Sequence, residues 1–270
     1  MPIRWFKTLR IASLLLILAI VAATTWQDRY RSTRWRLPLF VAIYPIAADD
    51  SPVTRAYIDS LDADRFKAID RFFAREATHY RLTTNEPFRT RLQPQLQQLP
   101  PQRGATAGVV STALWSLKLR YWVWNMTRHA HEPQDVRMFV LYHDPAITPT
   151  VPHSLGLTKG LIGVVYAFAA PVMNEENNVV IAHELLHTVG ATDKYALAND
   201  APRFPDGYGD PEQRPLYPQS TAELMAGRRM LAPDRWEQAS SLDQAVIGPA
   251  TALEIHWSQH AERDPDAGRL

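Results

Sequence analysis

The 270-residue chain contains no cysteine, which removes a disulfide framework, a thiolate metal site and a cysteine nucleophile together. Any metal must therefore be held by histidine and carboxylate. The lack of disulfides does not argue against export, because a chain of this length with 46% hydrophobic residues can bury a core without covalent staples. An excess of charge of one sign is missing as well. With 29 basic and 28 acidic residues the formal charge is +1, so no global field favours nucleic acid or an anionic surface. There are no internal repeats and no low-complexity tracts, and one domain is the default for this length. A G-x-S-x-G elbow is also absent, so His143-Asp144 and His153 do not read as parts of a serine hydrolase.

What is present is concentrated in residues 183–193, His183-Glu184-Leu185-Leu186-His187-Thr188-Val189-Gly190-Ala191-Thr192-Asp193. On a helix, His183 and His187 project from one face, so two imidazoles can converge on one Zn²⁺. Glu184 then lies beside the metal. A glutamate there can take a proton from a water whose pKa the metal lowers to about 7, and return it to a leaving amine. Gly190 suits a left-handed helix stop, after which the chain folds back. Asp193 lands where a third ligand would leave one tetrahedral position for water.

The pattern H-E-x-x-H-x-x-G-x-x-H/D resembles the metzincin metallopeptidase signature, and Asp in the last position is similar to the snapalysin variant. Those families carry a methionine turn beneath the metal, and Ala222-Glu223-Leu224-Met225-Ala226-Gly227 supplies one, with Met225 in that role. Gly190-Ala191-Thr192-Asp193-Lys194-Tyr195 followed by Leu224-Met225-Ala226-Gly227 also resembles immune-inhibitor-A-type peptidases. The overlap spans roughly residues 160–230, and its specific part is the 183–193 core. Two third ligands are open. Asp193 completes the signature, whereas Glu223 stands at a separation used by thermolysin-like enzymes but lacks their N-E-x-x-x-D context.

At the N-terminus, Arg4, Lys7 and Arg10 precede an apolar run over residues 11–23. The arrangement is that of an export signal. With Thr24, Thr25 and Trp26 the segment falls short of the roughly 20 residues of a full span, yet Trp5 and Trp26 suit two interfaces. Val21-Ala22-Ala23 gives no clean cleavage site, and Arg29, Arg31, Arg34 and Arg36 weaken the orientation signal. The expectation is a membrane-anchored domain on the extracytoplasmic face, or a secreted one if the segment is cleaved. Residues 1–29 form the signal or anchor, 30–260 the zinc domain and 261–270 a flexible tail.

Between these, residues 37–46 read as a strand and 60–80 as a helix with Phe66, Ile69, Phe72 and Phe73 on its core face. The proline-bearing stretch 83–104 reads as a loop, 106–129 as a helix broken near Arg120, and 136–142 and 163–169 as strands. In the resembled folds the strand before the active helix lies at the cleft edge and pairs with extended substrate, which would be 163–169. Residues 199–218, with five prolines and two glycines, form a candidate cleft wall, and 242–257 a C-terminal helix interrupted at Gly248-Pro249. The resemblance implies an α+β fold of zincin or metzincin type: a mixed twisted sheet, an active-site helix carrying H-E-x-x-H, and a small, loop-rich C-terminal subdomain.

Other polar residues read more simply. His129 with His131 lacks a nearby carboxylate ligand, His256 with His260 lacks an intervening Glu, and both pairs read as surface. Tyr121, Trp122 and Trp124 read as core or a membrane-side contact. Tyr195, Tyr208 and Tyr217 flank the site, where a phenol could donate to a developing oxyanion. The expectation is a zinc-dependent endopeptidase with metal ligands His183, His187 and Asp193, general base Glu184, a peptide or protein substrate and no nucleic-acid partner. A non-catalytic structural or sensory zinc domain at the membrane, closed by Glu223 or Asp206, is the alternative.

Overall fold

The computed structural model describes Leu15 and residues 34–102, 108–130, 132–158 and 160–258. Apart from Leu15, the expected anchor lies outside the described residues, as do the tail, His131 and His260. None of the described helices is long and apolar enough to cross a membrane.

One mixed five-stranded sheet organises the molecule, in the order β2-β1-β3-β5-β4. Its members are β1 (Leu39–Ala47), β2 (Phe88–Leu92), β3 (Val136–His143), β4 (Leu155–Leu157) and β5 (Ile162–Phe168). The first three and β5 run parallel, while β4 runs antiparallel to β5. The central β1 and β3 are rich in Val, Ile, Leu and aromatics and are buried along most of their length, as strands covered on both faces must be.

On one face lie α1 (Pro52–Asp59), α2 (Lys67–His79) and α4 (Asn174–Thr188), and on the other α3 (Val109–Thr127). The first face forms the larger core, where Leu39, Val41, Ile43, Met138, Val140 and Val165 meet Ile69, Phe72, Phe73, Leu185 and Leu186. Phe73 packs edge-on against Phe72 and Trp257 and tilts onto Phe88. The second core joins Ala42, Tyr44, Phe139 and Ile162 to Leu119 and Val123 of α3. Beyond α4 the chain is loop-rich, with a parallel bridge of β6 (Ala222–Glu223) to β9 (Ala245–Val246), a hairpin of β7 (Arg228–Ala232) and β8 (Arg235–Gln238), and the short α5 (Pro249–Glu254).

Several expectations need correction. The helix at 60–80 is a 3-10 turn, Ala63–Phe66, followed by α2, and α1 precedes it. Ser51 caps α1 by accepting from Val53 N, and Pro52 takes the first turn, a start signal short enough to pass as a loop. The 83–104 loop contains β2, whose alternation of Arg and Thr hides a strand paired on one edge only. The helix 109–127 is unbroken at Arg120. The 242–257 helix is a 3-10 turn, the bridge β9 and α5, because Gly248 and Pro249 restart the backbone. Finally, β5 is interior, and the edge belongs to β4.

β2 is secured by a side chain rather than by periodicity. Asp70 of α2 accepts from Thr90 N at 2.9 Å and from Thr90 Oγ1 at 3.0 Å. Burial pushes the Asp70 carboxyl up to about 6, against the lowering effect of those two hydrogen bonds. A carboxyl whose pKa is higher folded than unfolded favours the folded state most below its unfolded value, and that advantage is lost as pH rises through the folded value. Asp70→Asn keeps an acceptor for Thr90 N without the titration. In denaturant unfolding, the wild type is expected to lose stability relative to Asp70→Asn as pH rises from about 4 to about 6. Parallel pH profiles for the two proteins would contradict this.

Candidate metal centre

The centre is built on the last turns of α4. Leu185 and Leu186 are fully buried in the main core, and this fixes the rotation of the helix so that His183 and His187 face outward, with side chains 15% and 18% exposed. Asn177, one turn from the N-terminal end, accepts from Phe168 N and donates to Phe168 O, holding α4 in register along β5.

The helix ends as the glycine suggests. Gly190 has φ +114, a conformation other residues resist, and the Ala191 amide closes the turn on Leu186 O at 3.1 Å. The same turn presents Ala191 O to His187 Nδ1 at 2.8 Å. Leu224 O meets His183 Nδ1 at 2.9 Å. Carbonyls only accept, so both Nδ1 atoms carry a proton, and in the neutral rings both Nε2 lone pairs point into the centre.

Asp193 Oδ1 is 3.2 Å from His183 Nε2 and 3.1 Å from His187 Nε2, and the two Nε2 atoms are 3.1 Å apart. Tetrahedral coordination at about 2.0–2.1 Å separates ligand atoms by about 3.3 Å, so the triangle has the size of three bonds to one small cation. His183, Glu184 and His187 also each offer a ligating atom within 4.8 Å of one another; Asp193 lies nearer to both imidazoles than that. These residues could hold a metal ion.

Electrostatics describe the same demand. Burial disfavours charge on Asp193, but the hydrogen bonds and charge of the two imidazoles outweigh it and hold its carboxyl far below the usual range. Burial likewise works against the charged form of His187, and Asp193 and Glu184 overcome it and raise its pKa. Two imidazoles and a carboxylate aimed at one point call for a positive charge there.

Glu184 is 6% exposed, and burial pushes its pKa up against the lowering effects of His183, His187 and the Gly156 amide. Its Oε2 has no hydrogen-bond partner. Gly156 of β4 is crossed closely by α4: a Cβ there would stand 2.4 Å from Glu184 O and 2.5 Å from His187 Cβ. The cleft beside these residues has a volume of about 670 Å³ and is walled by His153, Tyr195 and the 197–200 segment. A second recess of about 460 Å³ continues from it along Tyr166, Val180 and Arg228.

The rival carboxylates are elsewhere. Glu223 is fully buried, accepts from Gly248 N, Thr251 Oγ1 and Ala226 N, and lines neither recess. Asp206 is exposed and lines neither recess. Residues 223–227 form a tight turn in which Ala226 and Gly227 amides return to Glu223 O, and Met225 is fully buried. Of the three tyrosines, Tyr195 reaches the cleft, while Tyr208 and Tyr217 bond each other at 3.0 Å away from it. The expected wall at 199–218 contributes Asn199 and Asp200. His143 and Asp144 belong to neither recess; Asp144 accepts from Ser51 Oγ at 2.6 Å, and no imidazole lies between them.

Sequence reasoning missed two parts of the site. Gly156 and β4 had a signal, a turn at Gly160 (φ +96) between apolar runs. The other is Lys194, 4% exposed, whose Nζ bonds both Glu254 oxygens at 2.8 Å and Thr192 O at 2.9 Å. Glu254 also accepts from Thr192 N and Oγ1. This pins the residues on both sides of Asp193, and nothing local in the sequence announces a partner so far along the chain. No protein-family model matches the chain, and no curated protein matches it significantly.

Gly156→Ala tests the close crossing. The methyl group must push β4 off α4, so the variant is expected to lose about 1–3 kcal/mol of stability and to bind metal more weakly in a chelator competition. Unchanged affinity with unchanged stability would mean the crossing has slack.

Proposed function

We propose that the protein is a zinc-dependent metallopeptidase of metzincin-like type, cleaving peptide bonds within polypeptide chains. The observation that carries this reading is the convergence of His183 Nε2, His187 Nε2 and Asp193 Oδ1 at 3.1–3.2 Å, with both Nδ1 atoms committed to carbonyls. An imidazole, imidazole and carboxylate set without thiolate suits zinc. Bound there, zinc supplies Lewis-acid polarisation of the scissile carbonyl and acidifies water.

The chain's own residues do the rest. Glu184 borders the cleft and holds a carboxylate of raised pKa whose buried Oε2 has no partner, the disposition of a group that takes a proton from attacking water and returns it to the leaving nitrogen. Tyr195 keeps its proton, because burial and then the charges of Asp193, Asp200 and Glu184 raise its pKa, so its phenol is a donor for a developing oxyanion. Extended substrate would add to the sheet at β4, the edge strand beside the cleft, in the role first expected of β5. The recess along Tyr166 and Val180 would take a side chain next to the cleaved bond.

The structural or sensory alternative needs a closed ligand shell. Its named closing groups, Glu223 and Asp206, line neither recess, and the centre borders an open cleft, which favours hydrolysis. The test is metal content and peptide-library cleavage by wild type, Glu184→Gln and Asp193→Ala. Glu184→Gln is expected to keep its metal and lose about 10²–10⁴-fold in turnover; Asp193→Ala is expected to lose metal. Stoichiometric zinc without cleavage by the wild type would overturn the enzymatic reading, and full turnover in Glu184→Gln would remove that residue from the mechanism.

A further inference from the structure

Helix α3 is apolar on two opposite faces. Leu119 and Val123 are buried against the sheet, and Trp122 packs edge-on at 4.8 Å from Phe139. Facing away, Leu114, Leu117, Tyr121 and Trp124 are 55%, 63%, 68% and 56% exposed. Their spacing of three, four and three residues puts them on one stripe. A helix that is hydrophobic all round normally has a partner on each side, and among the described residues the sheet covers one side only.

Three observations identify what covers the other. First, exposed Lys118 and Arg128 flank the stripe, and residues 104–131 contain no Asp or Glu. The Arg128 guanidinium sits 5.4 Å from the Trp124 ring centroid. Aromatic rings beside cationic heads are the side chains that settle at the boundary of an anionic bilayer.

Second, the sequence offers a short tether between an apolar run and this domain. Ten residues, 24–33, lie between the end of the 11–23 apolar run and residue 34, a tether of at most about 40 Å. Wherever that run enters lipid, the domain is held against the surface at high effective concentration.

Third, the topology puts the tether at the correct end. Residue 34 leads into the start of β1, and the segment after α3 reaches the same place, where Asp135 N donates to Phe40 O and Phe40 N to Asp135 Oδ2. The end of α3 carrying Tyr121, Trp124 and Arg128 is therefore the end nearest the tether. The helix, about 28 Å long for its 19 residues, is not apolar enough to span, and it suits an in-plane position.

We infer that the Leu114, Leu117, Tyr121 and Trp124 face of α3 docks on the lipid surface that holds the N-terminal apolar run. The sheet then separates the bilayer from α4, so the His183 and His187 cleft opens to water rather than to lipid. This inference does not depend on what the cleft catalyses.

The absence of cysteine makes the test clean, since Leu117→Cys or Tyr121→Cys provides one labelling site. The full chain is reconstituted in vesicles of phosphatidylcholine and phosphatidylglycerol, with nitroxide label at 117, at 121, or at 172 through Val172→Cys, where Val172 is 91% exposed beyond the far end of β5. Labels at 117 and 121 are expected to relax more with oxygen than with a water-soluble nickel chelate. The label at 172 is expected to do the reverse. Chelate dominance at 117 and 121 would overturn the inference. So would failure of the full chain to associate with the vesicles, or spin–spin broadening at 117 and 121 with neither reagent reaching them, which would mean that a second copy covers the face.

Discussion

The arrangement of this protein depends on bringing three electron-rich atoms, two imidazole nitrogens and a carboxylate oxygen, within 3.1–3.2 Å of one another. With both rings neutral and no cation between them, their lone pairs repel, so the fold must hold them there by other means. Two backbone carbonyls do much of this. Leu224 O and Ala191 O each fix one ring's tautomer and tilt, and neither can be altered by a side-chain substitution at its own position. Local repulsion is thus set against a core that includes Leu185 and Leu186, which lie between the two histidines on the same helix. A bound cation would convert the repulsion into stabilisation, coupling occupancy of the centre to folding.

The loop-rich C-terminal part makes sense as scaffolding for those carbonyls. It has little regular hydrogen bonding of its own, so its turns are secured by buried side chains. Glu223 satisfies three donors from its own turn and from the start of α5. Burial raises its pKa, opposed by Thr251, Gly248, the turn amide and Lys194, which is the cost of placing a carboxylate where only hydrogen bonding sustains it. Arg75 donates to Leu242 O and Ala245 O, and Tyr80 to Ile247 O, tying this segment back to the first helical layer. The Lys194 and Glu254 pair does the same for the Asp193 loop. With one member buried and both oxygens engaged, removal of either side would strand a charge rather than merely delete a contact.

How much of this was legible followed from how local each determinant is. The helix α4 and its glycine stop could be read because H-E-x-x-H and Gly190 specify geometry within two turns. β1, β3 and β5 could be read because strands buried on both faces are continuous apolar runs. β2 could not, since an edge strand with alternating Arg and Thr looks like a polar loop until Asp70 is seen to hold Thr90. β4 is three residues long, too short for periodicity, and it displaced β5 from the edge. Glu223 remained a rival ligand in the sequence because spacing says nothing about direction; only the donors from Gly248 and Thr251 show that it faces away from the histidines.

The same distinction separates the two apolar sides of α3. Periodicity could not divide Tyr121, Trp122 and Trp124, because a helix that is apolar all round has no preferred face. The sheet divides them, by accepting Trp122 against Phe139 and leaving Tyr121 and Trp124 outward. An isolated domain gains nothing from placing four large apolar side chains in water, and each one restricts solubility. A helix that is already half-committed to a core can present a rigid apolar stripe without unfolding, so the ordering cost of the outer contact is met by the inner one. That coupling places the two chemically distinct surfaces, the outer stripe of α3 and the polar cleft of α4, on opposite sides of one sheet.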